Sequence, residues 1–211
     1  MNKFSYDIKL YPFAEEVKKI FENKDLSEIH KGWSKSVSYD LLDDVSTDQN
    51  TVYHKHFYDN IRDTEFYFIF NSFIDDVIRP IFKEKIIYQR IPTFRVHQPN
   101  NLAVAEYHRD KDYSHSEHEV NFFVPLTNSY DTTTIWVESS YGKGDYSPMN
   151  AKNGDIVMWD GANCRHGNKI NITDKSRVSI DFRVLPFSKY VDGDLVSTSN
   201  KTKMTLGEYW K

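Results

Sequence analysis

Three short stretches carry side chains that can do chemistry together. They are His108-Arg109-Asp110, then His166 after 58 positions, then Arg177-Val178-Ser179 after 11 more. Two imidazoles and one carboxylate can occupy one face of an octahedral metal and leave the opposite face open for small molecules, an arrangement suited to Fe(II) and O2. On extended chain, residues i and i+2 point the same way, so His108 and Asp110 can turn toward one ion while Arg109 turns away. His166 must then arrive from a distant strand. The Arg177 guanidinium offers a fixed fork of donors for a carboxylate, and Ser179, on the same strand face, adds a hydroxyl. Together they can hold the far end of a dicarboxylate.

Such a site needs a rigid frame, and the second half of the chain has the pattern of one. Short segments rich in Val, Ile, Phe and Thr recur at 86–90, 93–98, 102–108, 119–126, 133–138, 155–159 and 176–185. Between them lie turn signals such as Gln98-Pro99-Asn100-Asn101, Asn153-Gly154 and Asp160-Gly161. The strands follow one another without helical crossovers, which predicts a mostly antiparallel sheet. Before them, Phe13, Val17, Ile20 and Phe21 recur at helical spacing behind Pro12. A second helix is expected over 62–78, ended by Pro80. Residues 25–60 read as loops with short helical turns. The tail is polar, with Leu206, Tyr209 and Trp210 able to dock on the body.

The bulk properties limit the options. A chain of 211 residues fits one well-buried domain: a helical cover over 1–85, a strand core over 86–186 and a tail over 187–211. Its net charge of −4 gives no basic footprint for nucleic acid. The single cysteine, Cys164, the lack of an apolar leader and the lack of a membrane-length apolar run point to a cytoplasmic protein. By base rate alone, a homodimer is the default oligomer.

The H-x-D pair, the distal His and the R-x-S pair, in this order, resemble the Fe(II)/2-oxoglutarate-dependent oxygenases. Arg95-Val96-His97, the run from Asn100 to Val104 and the run from His166 to Asn171 resemble small bacterial members associated with streptomycin and sugar-cluster biosynthesis. The resemblance implies a double-stranded β-helix, a cupin-like jelly-roll barrel packed by the N-terminal helices. It implies Fe(II) on His108, Asp110 and His166, with 2-oxoglutarate and O2 as co-substrates. Arg177 and Ser179 would take the distal carboxylate of 2-oxoglutarate. It further implies hydroxylation of a small polar metabolite, such as a sugar, nucleotide sugar or amino-acid derivative, with release of succinate and CO2. Two rivals remain: a cupin-like sugar epimerase, which would not need Arg177 and Ser179, and a non-catalytic metal- or carbohydrate-binding barrel, which would bind ligand without consuming O2.

Further candidates stand beside these. Along the last strand the odd positions Arg177, Ser179, Asp181 and Arg183 are polar and the even positions Val178, Ile180, Phe182 and Val184 apolar, so the polar face either lines a ligand site or meets solvent. Asn121 either contacts the oxoglutarate carboxylate or satisfies a buried backbone group. Arg95 and His97 share one strand face: turned inward they belong to the substrate pocket or the oxoglutarate site, turned outward they are solvated charge, and Trp136 and Glu138 are similar candidates. His115, His118 and Asp112 are rival ligands. An extended chain would carry Asp112 roughly 13 Å from His108, and His115 and His118 fit a polar lid around 111–117. Trp159 and Cys164 read as core, and Gly142 to Gly144 as a hairpin turn rather than a phosphate loop.

Overall fold

The structure is a computed structural model and describes all residues except 23–24, 33–50, 104–105 and 198–201. Its spine is the ten-residue strand β9 (Arg177–Pro186). One edge of β9 takes β4 (Val120–Pro125). The other takes β3 (Thr93–His97) along its first half and β2 (Ile86–Tyr88) along its second. Beyond β4 come β7 (Asp155–Trp159) and then β1 (Asn2–Ser5), completing six antiparallel strands. A second sheet has the order β6-β5-β8, from Ser147–Pro148, Ile135–Val137 and His166–Asn168.

Register gives the large sheet two unlike faces. Phe122 pairs with Phe182 and Met158, Val124 with Ile180, Phe94 with Ile180 and Val96 with Val178. These residues form the core shared with the helices α1 (Phe13–Phe21), the single turn α2 (Ile29–Gly32), α3 (Val52–Asn60) and α4 (Phe66–Phe73). Ring contacts lock the layers: Phe57 stacks on Phe94 at 4.1 Å and Phe70 meets Phe182 edge-on at 5.2 Å. Burying each such side chain is worth about 1.5–3 kcal/mol. The other face carries Asn121 opposite Arg183 and Trp159, Arg95 opposite Ser179, and His97 opposite Arg177. Phe123, Val157 and Trp159 on this face pack with Val137, Met149 and Cys164, so the small sheet lies over it.

Several expectations are corrected. The expected antiparallel sheets are present as two facing sheets, but no strand pairing among the described residues joins them, so the expected barrel is not closed. The strand expected over 102–108 is absent from its described residues except for a bridge at His108; residues 104–105 lie outside the described set. The expected helix over 62–78 starts later, at Phe66, because Ile61–Asp63 is a separate 3-10 turn; α4 then continues without a break through a π-helical turn, Ile74–Ile78, to the turn Arg79–Ile81 at Pro80. In the stretch read as loops, α3 is a full helix capped by Thr51; Trp33 and Tyr39 lie outside the described residues. The strand expected over 133–138 shortens to β5, because Asp131–Thr133 is a 3-10 turn. Tyr209 and Trp210 dock as expected, but Leu206 stays exposed. No described helix is long and apolar enough to cross a membrane.

Candidate metal centre

His166 opens β8, and the chain at His108 bridges to it by two main-chain bonds, each N donating to the other O at 2.9 Å. The two rings stand 4.5 Å apart. Arg109 is extended, with φ −114° and ψ 141°, so His108 and Asp110 fall on one side; the chain then turns at once into the 3-10 helix Asp110–Tyr113. One extended residue therefore replaces the strand that the spacing implied. Arg109 and Asp112 pair with each other at 3.0 Å.

Each ligand atom is selected by what holds its partner atom. Nδ1 of His108 lies 2.9 Å from Glu106 O, and Nδ1 of His166 lies 3.1 Å from Cys164 O. A proton on each Nδ1 serves those carbonyls and leaves each Nε2 lone pair available. Asp110 Oδ2 accepts from Asn121 Nδ2 at 2.7 Å and from Arg183 Nε and Nη2, both at 2.8 Å. Oδ1 then faces the two Nε2 atoms, at 3.5 Å from His108 and 3.6 Å from His166. The three ligand atoms lie within 4.8 Å of one another, the only such group of three among the described residues. The donor set of two neutral imidazoles and one monodentate carboxylate fits a divalent transition metal.

Electrostatics reinforce this choice. Burial lowers the His166 pKa to about 4, outweighing the attraction of Asp110, so the ring is neutral and can ligate. Burial alone would push the Asp110 carboxyl up. The Arg183 guanidinium, with His108, His166 and His115, outweighs it and holds the group well below its usual range. Two glycines give the site room. A Cβ on Gly161 would sit 2.7 Å from Asn121 Cγ and 2.8 Å from the Trp159 ring, and one on Gly167 would sit 2.8 Å from the Tyr107 ring.

The triad opens into a cleft lined also by Arg95, Asn121, Arg177, Asp181 and Arg183. Arg177 is buried, donating from Nε to Thr133 O at 3.0 Å and from Nη1 to Ser179 Oγ at 2.7 Å. Arg95 Nε lies 3.3 Å from Asp181 Oδ1.

No family model matches the sequence. Streptomycin biosynthesis protein StrG from Streptomyces griseus is 37% identical over 219 residues, covering 99% of this chain and 96% of StrG. The chain belongs to the StrG family. Among solved structures, the non-heme monooxygenase ThoJ in its apo form gives a TM-score of 0.50 at 10% identity, over 86% of this chain and 71% of ThoJ, a likeness of fold. HygX from Streptomyces hygroscopicus, with nickel and 2-oxoglutarate bound, gives 0.36 at 14% identity over 61% of this chain and 70% of HygX, too slight to carry an argument.

In this StrG-family chain the structure brings together His108, Asp110, His166, Asn121, Arg177 and Arg95 around one cleft, with Ser179 on the Arg177 side chain. Others of the expected residues stand apart. His97 is fully buried, with Thr133 O 3.2 Å from Nδ1 and Asn101 O 2.8 Å from Nε2, so no ring atom is left for a substrate. Trp136 lies on the opposite face of β5 from Ile135, which lines the cleft; Lys169 sits over its ring. Glu138 is occupied by main-chain donors, Arg165 N at 2.6 Å and Gly144 N at 3.0 Å. Of the rival ligands, His115 is bound to Glu119 at 2.8 Å and His118 is exposed.

The StrG-family site also contains residues that sequence reasoning had not assigned. Arg183 anchors Asp110; its signal was its place on the polar face of β9, six residues beyond Arg177. Trp159, read as core, also lines the cleft, edge-on to His166 at 4.5 Å.

Proposed function

We propose that this protein is an Fe(II)- and 2-oxoglutarate-dependent oxygenase that hydroxylates a small polar metabolite in a biosynthetic pathway, releasing succinate and CO2. The observation that carries this reading is the convergence of His108 Nε2, Asp110 Oδ1 and His166 Nε2, each with its neighbouring polar atom already tied to the protein. Bound there, Fe(II) would supply the oxidative decarboxylation of the keto acid and the oxidation of a C–H bond.

The chain's own residues have distinct tasks in this reading. Arg177, with Ser179 against its Nη1, receives the distal carboxylate of 2-oxoglutarate. Asn121 and Arg183 keep Asp110 on one oxygen. Arg95 and Asp181 face the cleft as a pair that can reorganise around hydroxyl groups of the substrate. Trp159 and Ile135 form its apolar wall and limit water. The StrG relative, named for streptomycin biosynthesis, supports a carbohydrate-like or amino-acid-derived substrate. An epimerase or a binding barrel would have no use for a buried Arg177 in the same cleft as the triad.

The test is to add Fe(II) and then 2-oxoglutarate to the protein without oxygen, and to look for the visible charge-transfer band that a keto acid gives on chelating Fe(II). The band should form with the wild type and weaken with Arg177→Ala. Iron binding without a band would move the epimerase or binding-barrel reading ahead.

A further inference from the structure

The C-terminal segment reaches the metal centre through one side chain. Its last residues pair with the chain at the end of β2: Lys211 N donates to Tyr88 O at 2.9 Å, Tyr88 N to Lys211 O at 3.1 Å, and Arg90 N to Tyr209 O at 2.8 Å. Tyr209 and Trp210 are buried with Ile87, Leu185 and Met204. Tyr209 Oη lies 3.4 Å from Arg183 Nη1, on the guanidinium whose Nε and Nη2 hold Asp110 Oδ2.

The guanidinium is planar, and its edges face different partners. Nε and Nη2 hold the metal-ligating carboxylate, and Nη1 meets the tail. A second carboxylate competes nearby: Glu119 Oε2, fixed by His115 Nδ1 at 2.8 Å, lies 3.7 Å from Arg183 Nε. The Tyr209 hydroxyl is deeply buried, which pushes its pKa up and keeps it neutral. It can therefore accept from Nη1 without adding negative charge. Without that acceptor a buried donor is left unpaired, and turning toward Glu119 becomes the way to satisfy it. Asp110 Oδ2 would then keep Asn121 alone of its donors, and the carboxylate would be freer to rotate its second oxygen toward the metal.

We propose that Tyr209 is a positioning residue for the metal centre: docked by the C-terminal segment, it fixes the Arg183 guanidinium so that Asp110 presents a single oxygen. This rests on the metal-binding reading above. The test titrates Co(II) into the full-length wild type, Tyr209→Phe and Trp210→Phe, recording affinity, visible d–d spectrum and thermal midpoint. Loss of outer-shell partners of a metal ligand costs about 10–100-fold in affinity; one layer further out, Tyr209→Phe is expected to cost about 3–10-fold and to change the d–d intensity. Trp210→Phe thins the same packing without touching the hydroxyl. It should lower the thermal midpoint and leave affinity and spectrum as in the wild type. An unchanged affinity and spectrum in Tyr209→Phe overturns the proposal, as does an equal loss in both variants, which would assign the effect to packing. A wild type that takes up no stoichiometric Co(II) sinks the metal reading itself, and this proposal with it.

Discussion

His108 and His166 exchange both of their main-chain hydrogen bonds, at 2.9 Å in each direction. Such a pair fixes the two Cα atoms about 5.5 Å apart. The separation of the imidazoles is thus set by backbone pairing rather than by the metal, and Asp110 is held from behind by Arg183 and Asn121.

Asp110→Asn removes the charge and keeps the shape. Metal affinity is expected to fall by at least about 100-fold. Arg183 would lose its nearest counter-charge and keep only the more distant Glu119 and Asp181, at a cost of about 3 kcal/mol in stability. Adding Arg183→Met should restore part of the stability and none of the metal binding. Asp112→Asn, outside the centre, should leave both unchanged. Calorimetric metal titration and urea unfolding read the two effects separately; strong binding by Asp110→Asn would move the carboxylate ligand elsewhere.

Arg177→Lys keeps a positive charge but loses the planar fork that now spans Thr133 O and Ser179 Oγ. Affinity for 2-oxoglutarate should weaken by about 10–100-fold, the scale of a charge-assisted hydrogen bond. Co(II) affinity should not move. If anaerobic titration finds 2-oxoglutarate binding unaltered, its distal carboxylate is held elsewhere, with Arg95 the next candidate in the cleft.

Gly161→Ala places a methyl group 2.7 Å from Asn121 Cγ and 2.8 Å from the Trp159 ring. Both neighbours are buried. Overpacking of this kind costs about 1–3 kcal/mol, and the shift of Asn121 should loosen Asp110 and weaken metal binding as well. Wild-type stability and affinity in this variant would show that the Asn121 side chain is not needed where it stands.

Burial lowers the folded-state pKa of His54 to about 3, and of His97 and His166 to about 4, from an ordinary value of 6.5. Each folded value lies below the unfolded one, so the unfolded chain binds more protons between them. The stability these rings contribute is complete above pH 6.5 and is lost as the pH falls toward 4. Between pH 7 and pH 5 the metal-free protein should lose about 1–2 kcal/mol per histidine in urea unfolding. A flat profile over that window would mean that these rings accept protons while folded.

The site was more legible than its frame. Strand β9 announced itself because the eight residues from Arg177 to Val184 alternate without interruption, and their polar face lies toward the cleft. The triad was legible because one extended residue, Arg109, is enough to bring His108 and Asp110 to one side. By contrast, β8 is His166-Gly167-Asn168, three residues with no apolar pattern, and β1 is exposed throughout and held by main-chain pairing. In α3 the buried Tyr53, His54 and Phe57 make only a narrow stripe, so the helix passed for loop. The anchoring role of Arg183 depends on a partner 73 residues away. The orientation of Trp136 was beyond reach for a local reason: on a three-residue strand, shifting the register by one residue reverses every side chain.

The two-faced sheet bears on how the cleft can come to accept a different ligand. Along β9, Val178, Ile180, Phe182 and Val184 belong to the aromatic layer under the helices, and Arg177, Asp181 and Arg183 between them line the cleft. Heritable variation at Asp181 or its ion-pair partner Arg95 can therefore sample new chemistry one position at a time while the alternate positions keep the fold. A mutant library restricted to those inward sites should yield a much larger folded fraction than one spread over consecutive residues of the same strand.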